Sequence, residues 1–249
     1  MDIQIEQSIA SLQLRHIKGI FAESSEEACL KIGSLIPRDA VVGIGDSTTI
    51  RQMGIPQMLT ERGTTVLDAF KRQAGKIDPK DLEERRTRIL KEATISDVFL
   101  TGTNALTQDG RLVNVDSNGN RVAGMFWGHP LSIVVVGRNK IVGDLDEAFH
   151  RIRNVIAPNH VRIRSEELGG RKRNTPCVES GECSDCRADD KICNIFTVIE
   201  GKPSRTELNV VIVNEDLGLG WEPSWPRDRV MEVIEKYKEF VWIPPRKDL

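Results

Sequence analysis

The chain has 249 residues, 39% of them hydrophobic and 29% charged, with a formal net charge of −2. This length allows one large α/β domain, or one domain with a sizeable appendage, around a substantial core, and no apolar run approaches the roughly 20 residues that span a bilayer, so no membrane partner is expected. The charge provides no field to gather polyanions, and one Tyr and seven Phe give little stacking surface for bases, which argues against nucleic acid.

The opening, Met1 to Gln7, is acidic and amphipathic, unlike a signal or transit peptide, and is read as belonging to a cytoplasmic protein. From Ser24 to Leu35 the pattern is helical, with Ser24 as cap, Glu27 completing a capping box, and Cys29 as a core residue. Ala40 to Ile44 reads as a strand, followed by a glycine loop and an apolar helix over Ile50 to Leu59. A strand near Thr65 to Leu67, a charged helix from Pro79 to Thr94 and a strand over Asp97 to Leu100 continue the alternation.

Arg111 to Val115 and Arg121 to Phe126 flank Asp116-Ser117-Asn118-Gly119-Asn120, whose Asn-Gly step predicts a hairpin. Leu131 to Val136 is a buried, β-branched strand, and Asp144 to Val155 a helix with Leu145, Ala148, Phe149 and Ile152 on one face. After Pro158 the composition shifts toward Arg, Glu, Gly and Cys; Leu208 to Val213 then reads as a returning strand, and a final amphipathic helix starts at Pro226. Strands alternating with helices predict an α/β fold, a Rossmann-like mostly parallel sheet with helices on both faces. The expected organisation is a core over 1–165, an insert over 166–200, and a strand and helix over 201–249 that complete the core.

Two polar clusters follow predicted strand ends, where open α/β sheets bind ligands. Gly43-Ile44-Gly45-Asp46-Ser47-Thr48-Thr49 brings backbone N–H groups and three hydroxyls to a helix start, as an anion site requires. It is neither a dinucleotide fingerprint nor a Walker loop. On this reading Gly45→Val abolishes ligand binding and leaves the fold intact. The second cluster contains Gly102, Thr103, Asn104, Asp116, Asn118 and Arg121, the last three expected to shape or close the pocket. Asp and Asn are also turn formers. The run Arg171-Lys172-Arg173 reads as a solvated loop, and His129 and His150 as turn or surface residues rather than general bases.

Cys177, Cys183, Cys186 and Cys193 fall within seventeen residues. In a reducing compartment thiolates so crowded suit a soft ion, and four of them suit tetrahedral zinc or an iron–sulfur cluster. One Cys-x-x-Cys forms a knuckle, but the flanking spacings match neither a zinc ribbon nor a bacterial ferredoxin run, so the choice between zinc and a cluster stays open.

The string from Thr101 to Arg121, with Ile44 to Thr49 upstream and Val134 to Val142 and Glu147 to Arg153 downstream, resembles the LUD domain of lactate utilisation proteins. The resemblance covers roughly residues 24 to 215 and extends through the cysteines to Val213–Gly218, as in a cysteine-bearing branch of that family. It implies a fold like ribose phosphate isomerases and CoA transferases, with small phosphate or carboxylate ligands at the strand ends. It also implies a part in oxidising L-lactate to pyruvate beside iron–sulfur redox subunits. The expected function is binding of a small anionic metabolite together with a four-cysteine metal element. The rivals are a non-catalytic accessory subunit docking on an iron–sulfur partner, and a sugar-phosphate or CoA-ester enzyme on the same fold.

Overall fold

The computed structural model describes residues 2–71 and 78–243. In chain order the elements are α1 (Ile3–Leu14), β1 (Lys18–Ala22), α2 (Ser25–Leu35), β2 (Val41–Ile44), α3 (Thr48–Gln52), α4 (Ile55–Glu61), β3 (Thr65–Leu67), α5 (Pro79–Ala93) and β4 (Val98–Gly102). There follow β5 (Ala105–Thr107), β6 (Leu112–Asp116), α6 (Asn120–Phe126), β7 (Leu131–Gly137), β8 (Ile141–Val142), α7 (Leu145–Arg151), α8 (Ala157–Arg162), α9 (Cys177–Ser180), β9 (Ile195–Ile199), β10 (Glu207–Val213) and α10 (Arg227–Phe240).

Six strands form one parallel sheet in the order β1-β10-β7-β4-β2-β3. The apolar run of β7 shows why it lies at the centre. Side chains alternate across a strand, and Ile133 and Val135 join Ala28, Ile32, Ile55 and Leu59 from α2 and α4 on one face. Val134 and Val136 join Ile5, Leu12, Val122 and Met125 from α1 and α6 on the other. The structure is therefore the α/β, mostly parallel sheet with helices on both faces that the alternation predicts. A second sheet, β8-β5-β6-β9, stands beside it, with β5–β6 and β6–β9 antiparallel. Strand β9, inside the interval 166–200, pairs with β6 from Leu112↔Ile199 to Asp116↔Ile195.

The expected hairpin at Asn118-Gly119 is not formed. Arg121 to Phe126 is the helix α6, entered through Gly119 at φ 87°. The Asp116 carboxylate accepts from the amides of Asn118, Gly119 and Val122, each at 3.2 Å, and so winds the chain into a helical turn instead of reversing a strand. Val122 and Met125, three apart, are the buried face of that helix. The antiparallel hairpin is β5–β6, with Gly110 at φ 87° in its turn.

The predicted helix over Ile50 to Leu59 is two helices, α3 and α4, divided at Gly54, which adopts φ 68°. Ser24 caps α2 as expected, accepting from the Glu27 amide at 3.2 Å, but the Glu27 carboxylate reaches back to the Glu23 amide at 2.7 Å. The helix expected to end at Val155 continues, through wide turns at Ile152–Ile156 and Ile163–Glu167, to Glu167. Such wide turns leave room for Pro158, which lacks an N–H, so the proline does not end the helix.

Candidate functional site

The carboxyl ends of β2, β4, β7 and β10 open into one cavity of about 320 Å³. The β2 end contributes Asp46, Ser47, Thr48 and Thr49; the β4 end Gly102, Thr103 and Asn104; the end of β6 Asp116, and the chain after it Asn118 and Arg121. These residues, far apart in sequence, are brought together. Gly43 and Gly45 are outside the lining and serve packing instead. A Cβ on Gly43 would lie 2.2 Å from the Ala93 carbonyl oxygen, and one on Gly45 2.6 Å from Thr101 Oγ1. These glycines let α5 and β4 approach the strand that carries the loop.

Arg121 is buried and wholly engaged. Its Nη1 donates to the Gly102 carbonyl at 3.1 Å and Asn114 Oδ1 at 2.7 Å, and its Nη2 to Asn104 Oδ1 at 2.8 Å and the Val115 carbonyl at 2.7 Å. It ties the β4–β5 turn to β6, and burial pushes its pKa down. Asp116, 3.8 Å from Arg121 Nε, is occupied by the turn amides. Both form part of the cavity wall.

Lys140, not anticipated as a site residue, projects from just beyond β7. Its Nζ donates to Thr49 Oγ1 at 2.9 Å and to the Thr103 carbonyl at 3.1 Å. Burial, reinforced by the Arg121 charge, pushes its pKa down to about 7. The signal was legible in principle: Lys140, in the polar step Arg138-Asn139-Lys140, lies just past the carboxyl end of an apolar strand, the same placement that marks Gly102 to Asn104.

The opposite wall comes from α8 and α10. His160 Nδ1 meets the Tyr237 hydroxyl at 2.5 Å, and Arg164 Nη1 approaches His160 Nε2 at 3.1 Å. A guanidinium only donates, so Nε2 accepts and Nδ1 carries the proton. Burial first, then the Arg164 charge, pushes the His160 pKa down to about 3, and burial raises the Tyr237 phenol to about 12. Both are neutral groups at ordinary pH. Burial opposes ionisation of Asp46, but the charges of Arg51, at 2.8 Å, and Arg164 outweigh it and hold its pKa below the usual carboxylate range.

Arg173 also lines the cavity, half-buried and donating to the Asp190 carbonyl, so it is not part of a solvated run; Arg171 and Lys172 are exposed. In all, Arg86, Arg121, Lys140, Arg164 and Arg173 face the cavity against the carboxylates Asp46 and Asp116. His129 is buried in the bend before β7 and stacks on Phe99 at 5.5 Å, a turn residue rather than a surface one, while His150 is exposed. Glu215 accepts from the Ser25 amide and hydroxyl, both at 2.7 Å, at the start of α2.

Cys177, Cys183, Cys186 and Cys193 line a second, smaller cavity of about 40 Å³, with Arg153, Ala157 and Val161 as its other wall. None is in a disulfide. Burial, then the neighbouring charges of the other three thiols, pushes Cys193 up to about 11. Arg153 Nη1 lies 3.8 Å from Cys183 Sγ and 3.0 Å from Asp185 Oδ1. Among the described residues no three or more His, Cys, Asp or Glu form a group that could hold a metal ion as they stand. No helix among them is long and apolar enough to cross a membrane.

Comparison with solved structures finds a DUF162 family protein from Deinococcus radiodurans, 16% identical, covering 84% of this chain and 94% of that one, with a TM-score of 0.42. It also finds ribose 5 phosphate isomerase A from Neisseria gonorrhoeae, 14% identical, covering 69% of each chain, with a TM-score of 0.30. Comparison with curated proteins gives no match. The sequence model of the LUD domain matches residues 5–213, which include every strand of both sheets and all four clustered cysteines. The chain belongs to the LUD domain family.

Proposed function

We propose that the 320 Å³ cavity binds a small anionic metabolite, a hydroxy or keto acid of the lactate and pyruvate class, and that the protein serves organic-acid utilisation. The observation that carries this reading is the excess of cationic side chains over carboxylates on a wall built at strand carboxyl ends. Lys140 offers its ammonium, and Ser47, Thr48 and Thr49 offer hydroxyls, where a carboxylate would sit. Small size favours an acid of a few carbons, since about 320 Å³ is at the lower end of ligand pockets. Membership of the LUD family and the resemblance to lactate utilisation proteins support a role beside iron–sulfur redox subunits, with the four cysteines holding zinc or an iron–sulfur cluster.

The test is thermal stabilisation of the full chain by L-lactate, pyruvate, inorganic phosphate and ribose 5-phosphate, since a ligand bound only by the native state raises its apparent stability. Stabilisation by lactate or pyruvate that Lys140→Met removes supports the reading. Stabilisation by the phosphate compounds alone transfers the site to the sugar-phosphate rival, and no response to any of the four overturns it. Affinity capture from native extract tests the redox role: co-purifying iron–sulfur subunits support it.

A further inference from the structure

The helical stretch from Leu145 to Glu167 has two working faces. Ile156, His160 and Arg164, four residues apart, line the anion cavity, Arg153 and Val161 line the cysteine cavity, and Ala157 lies on both. The loop that carries the cysteines closes around both. It places Arg173 and Ile192 on the anion cavity, and Ile192 and the adjacent Cys193 on the thiol cavity. The two sites therefore share one helix and one loop as walls.

That loop has little of its own to hold it. Between Arg171 and Asn194 the only regular element is the four-residue helix α9, and the only buried residue is Thr175. Thr175 lines the thiol cavity with its buried hydroxyl beside the Cys177 thiol, and one carboxylate oxygen of Asp190 in the same loop is buried without a hydrogen-bond partner. A segment that buries almost no apolar surface lacks the usual means of offsetting the entropy of being ordered. Four cysteines that line one void and are in no disulfide are a chemistry by which such a segment can be fixed.

We infer that Cys177, Cys183, Cys186 and Cys193 bind one thiophilic metal centre, and that this centre locks the loop so that Arg173 and Ile192 are held in the wall of the anion cavity. Each thiol that binds releases its proton to solvent, and Arg153 and Lys191 offset the negative charge left on the sulfurs. Arg153 does so beside Cys183 Sγ, and Lys191 from the Cys186 carbonyl, 3.3 Å away. The four cysteines line a common void, but as they stand no three of them form a group that could hold a metal ion. Metal binding would therefore have to draw the loop inward, and that movement would couple the centre to the cavity. The first half of the inference stands alone; the second rests on the anion-cavity reading for its functional meaning.

The experiment uses the full chain purified without oxygen. Metal and acid-labile sulfide are measured per chain, and hydrogen–deuterium exchange is followed before and after removal of metal by a chelator. The expected result is about one equivalent of zinc in a colourless protein, or iron with matching sulfide in a coloured one, lost in Cys183→Ser and in Cys186→Ser. Removal should raise exchange several-fold over residues 169–194 and over Ile156 to Arg164, while β7 and β10 stay protected. Chelation of the unaltered protein keeps the test valid should either variant fail to fold. Protein without metal whose four thiols react freely overturns the inference, as do disulfides between them, or metal loss that leaves exchange of the loop and helix unchanged. Metal-loaded protein that shows this exchange change but binds neither lactate, pyruvate nor phosphate supports the inference and sinks the anion-cavity reading instead.

Discussion

Lys140 donates to Thr49 at 2.9 Å across ninety-one residues of chain, joining the loop after β7 to the helix start after β2 at the floor of the cavity. This contact places a cation with a depressed pKa where both polar clusters meet. Its chemistry decides how the site responds to pH.

Lys140→Met should weaken binding of pyruvate by roughly 10- to 100-fold, the equivalent of the about 1.5–3 kcal/mol of one charge-assisted hydrogen bond. A bound anion favours the protonated amine, and the free protein loses that proton above its folded pKa of about 7. Affinity should therefore fall as pH rises beyond 7, at most about tenfold per pH unit. For the empty protein the sign is opposite. Between about 7 and the unfolded value of 10.5 the unfolded chain holds a proton that the folded chain lacks, so stability rises with pH across that window. Calorimetric titration and denaturant midpoints at pH 6.5 and 9 check both; a pH-independent affinity would remove Lys140 from the site.

His160 predicts a pH dependence on the acid side. Its folded pKa of about 3 lies below the ordinary 6.5, so its contribution to stability is full above pH 6.5 and is lost progressively as pH falls toward 3. The steepest slope is about 1.4 kcal/mol per pH unit. His160→Gln should flatten the fall in urea midpoint between pH 6.5 and 4.5. An imidazole resonance of His160 that titrates near 6.5 would contradict its buried, neutral assignment.

Gly45→Ala should destabilise the protein by about 1–3 kcal/mol, because the added methyl meets Thr101 Oγ1 at 2.6 Å in a packed layer. Gly45→Val should cost more, so the sequence-based expectation of lost binding with an intact fold is replaced by a loss of fold stability. Gly33→Ala gives the contrast: in α2 its methyl meets only the end of Arg62 at 3.6 Å, and the change should stabilise by about 0.4–1 kcal/mol. Melting temperatures should rise in the order Gly45→Val, Gly45→Ala, Gly33→Ala.

Arg121→Met should cost about 3 kcal/mol or more, since it strands the buried oxygens of Asn104, Asn114, Gly102 and Val115 at once. Equilibrium urea unfolding measures the loss. A near-neutral result would mean that the β4–β5 turn is held by other contacts, and Arg121 would then be open to ligand.

Local pattern was enough for much of this. Continuous apolar runs marked β4, β7 and β10, helical spacing marked α2 and α10, and strand ends followed by glycine, hydroxyl and amide residues marked Asp46 to Thr49 and Gly102 to Asn104. Each is a property of a few consecutive residues. The Asn-Gly step misled because the same residues suit a hairpin turn and the entry to α6; the carboxylate of Asp116 decided between them by accepting three amides on one side.

What only the tertiary structure decided is which distant groups share a space. The sequence alone determined that this chain forms an alternating α/β sheet with polar loops at strand ends and a crowded cysteine segment, because these follow from backbone periodicity and spacing. That Lys140, His160, Arg164 and Arg173 meet in one cavity, and that Gly43 and Gly45 are spacers for neighbouring backbone, depends on strand order and on the run of the helix through Pro158. Burial and the charges of partners remote in sequence then set the pKa of Lys140 and of His160. Those fields are summed over the folded molecule, and no window of sequence contains them.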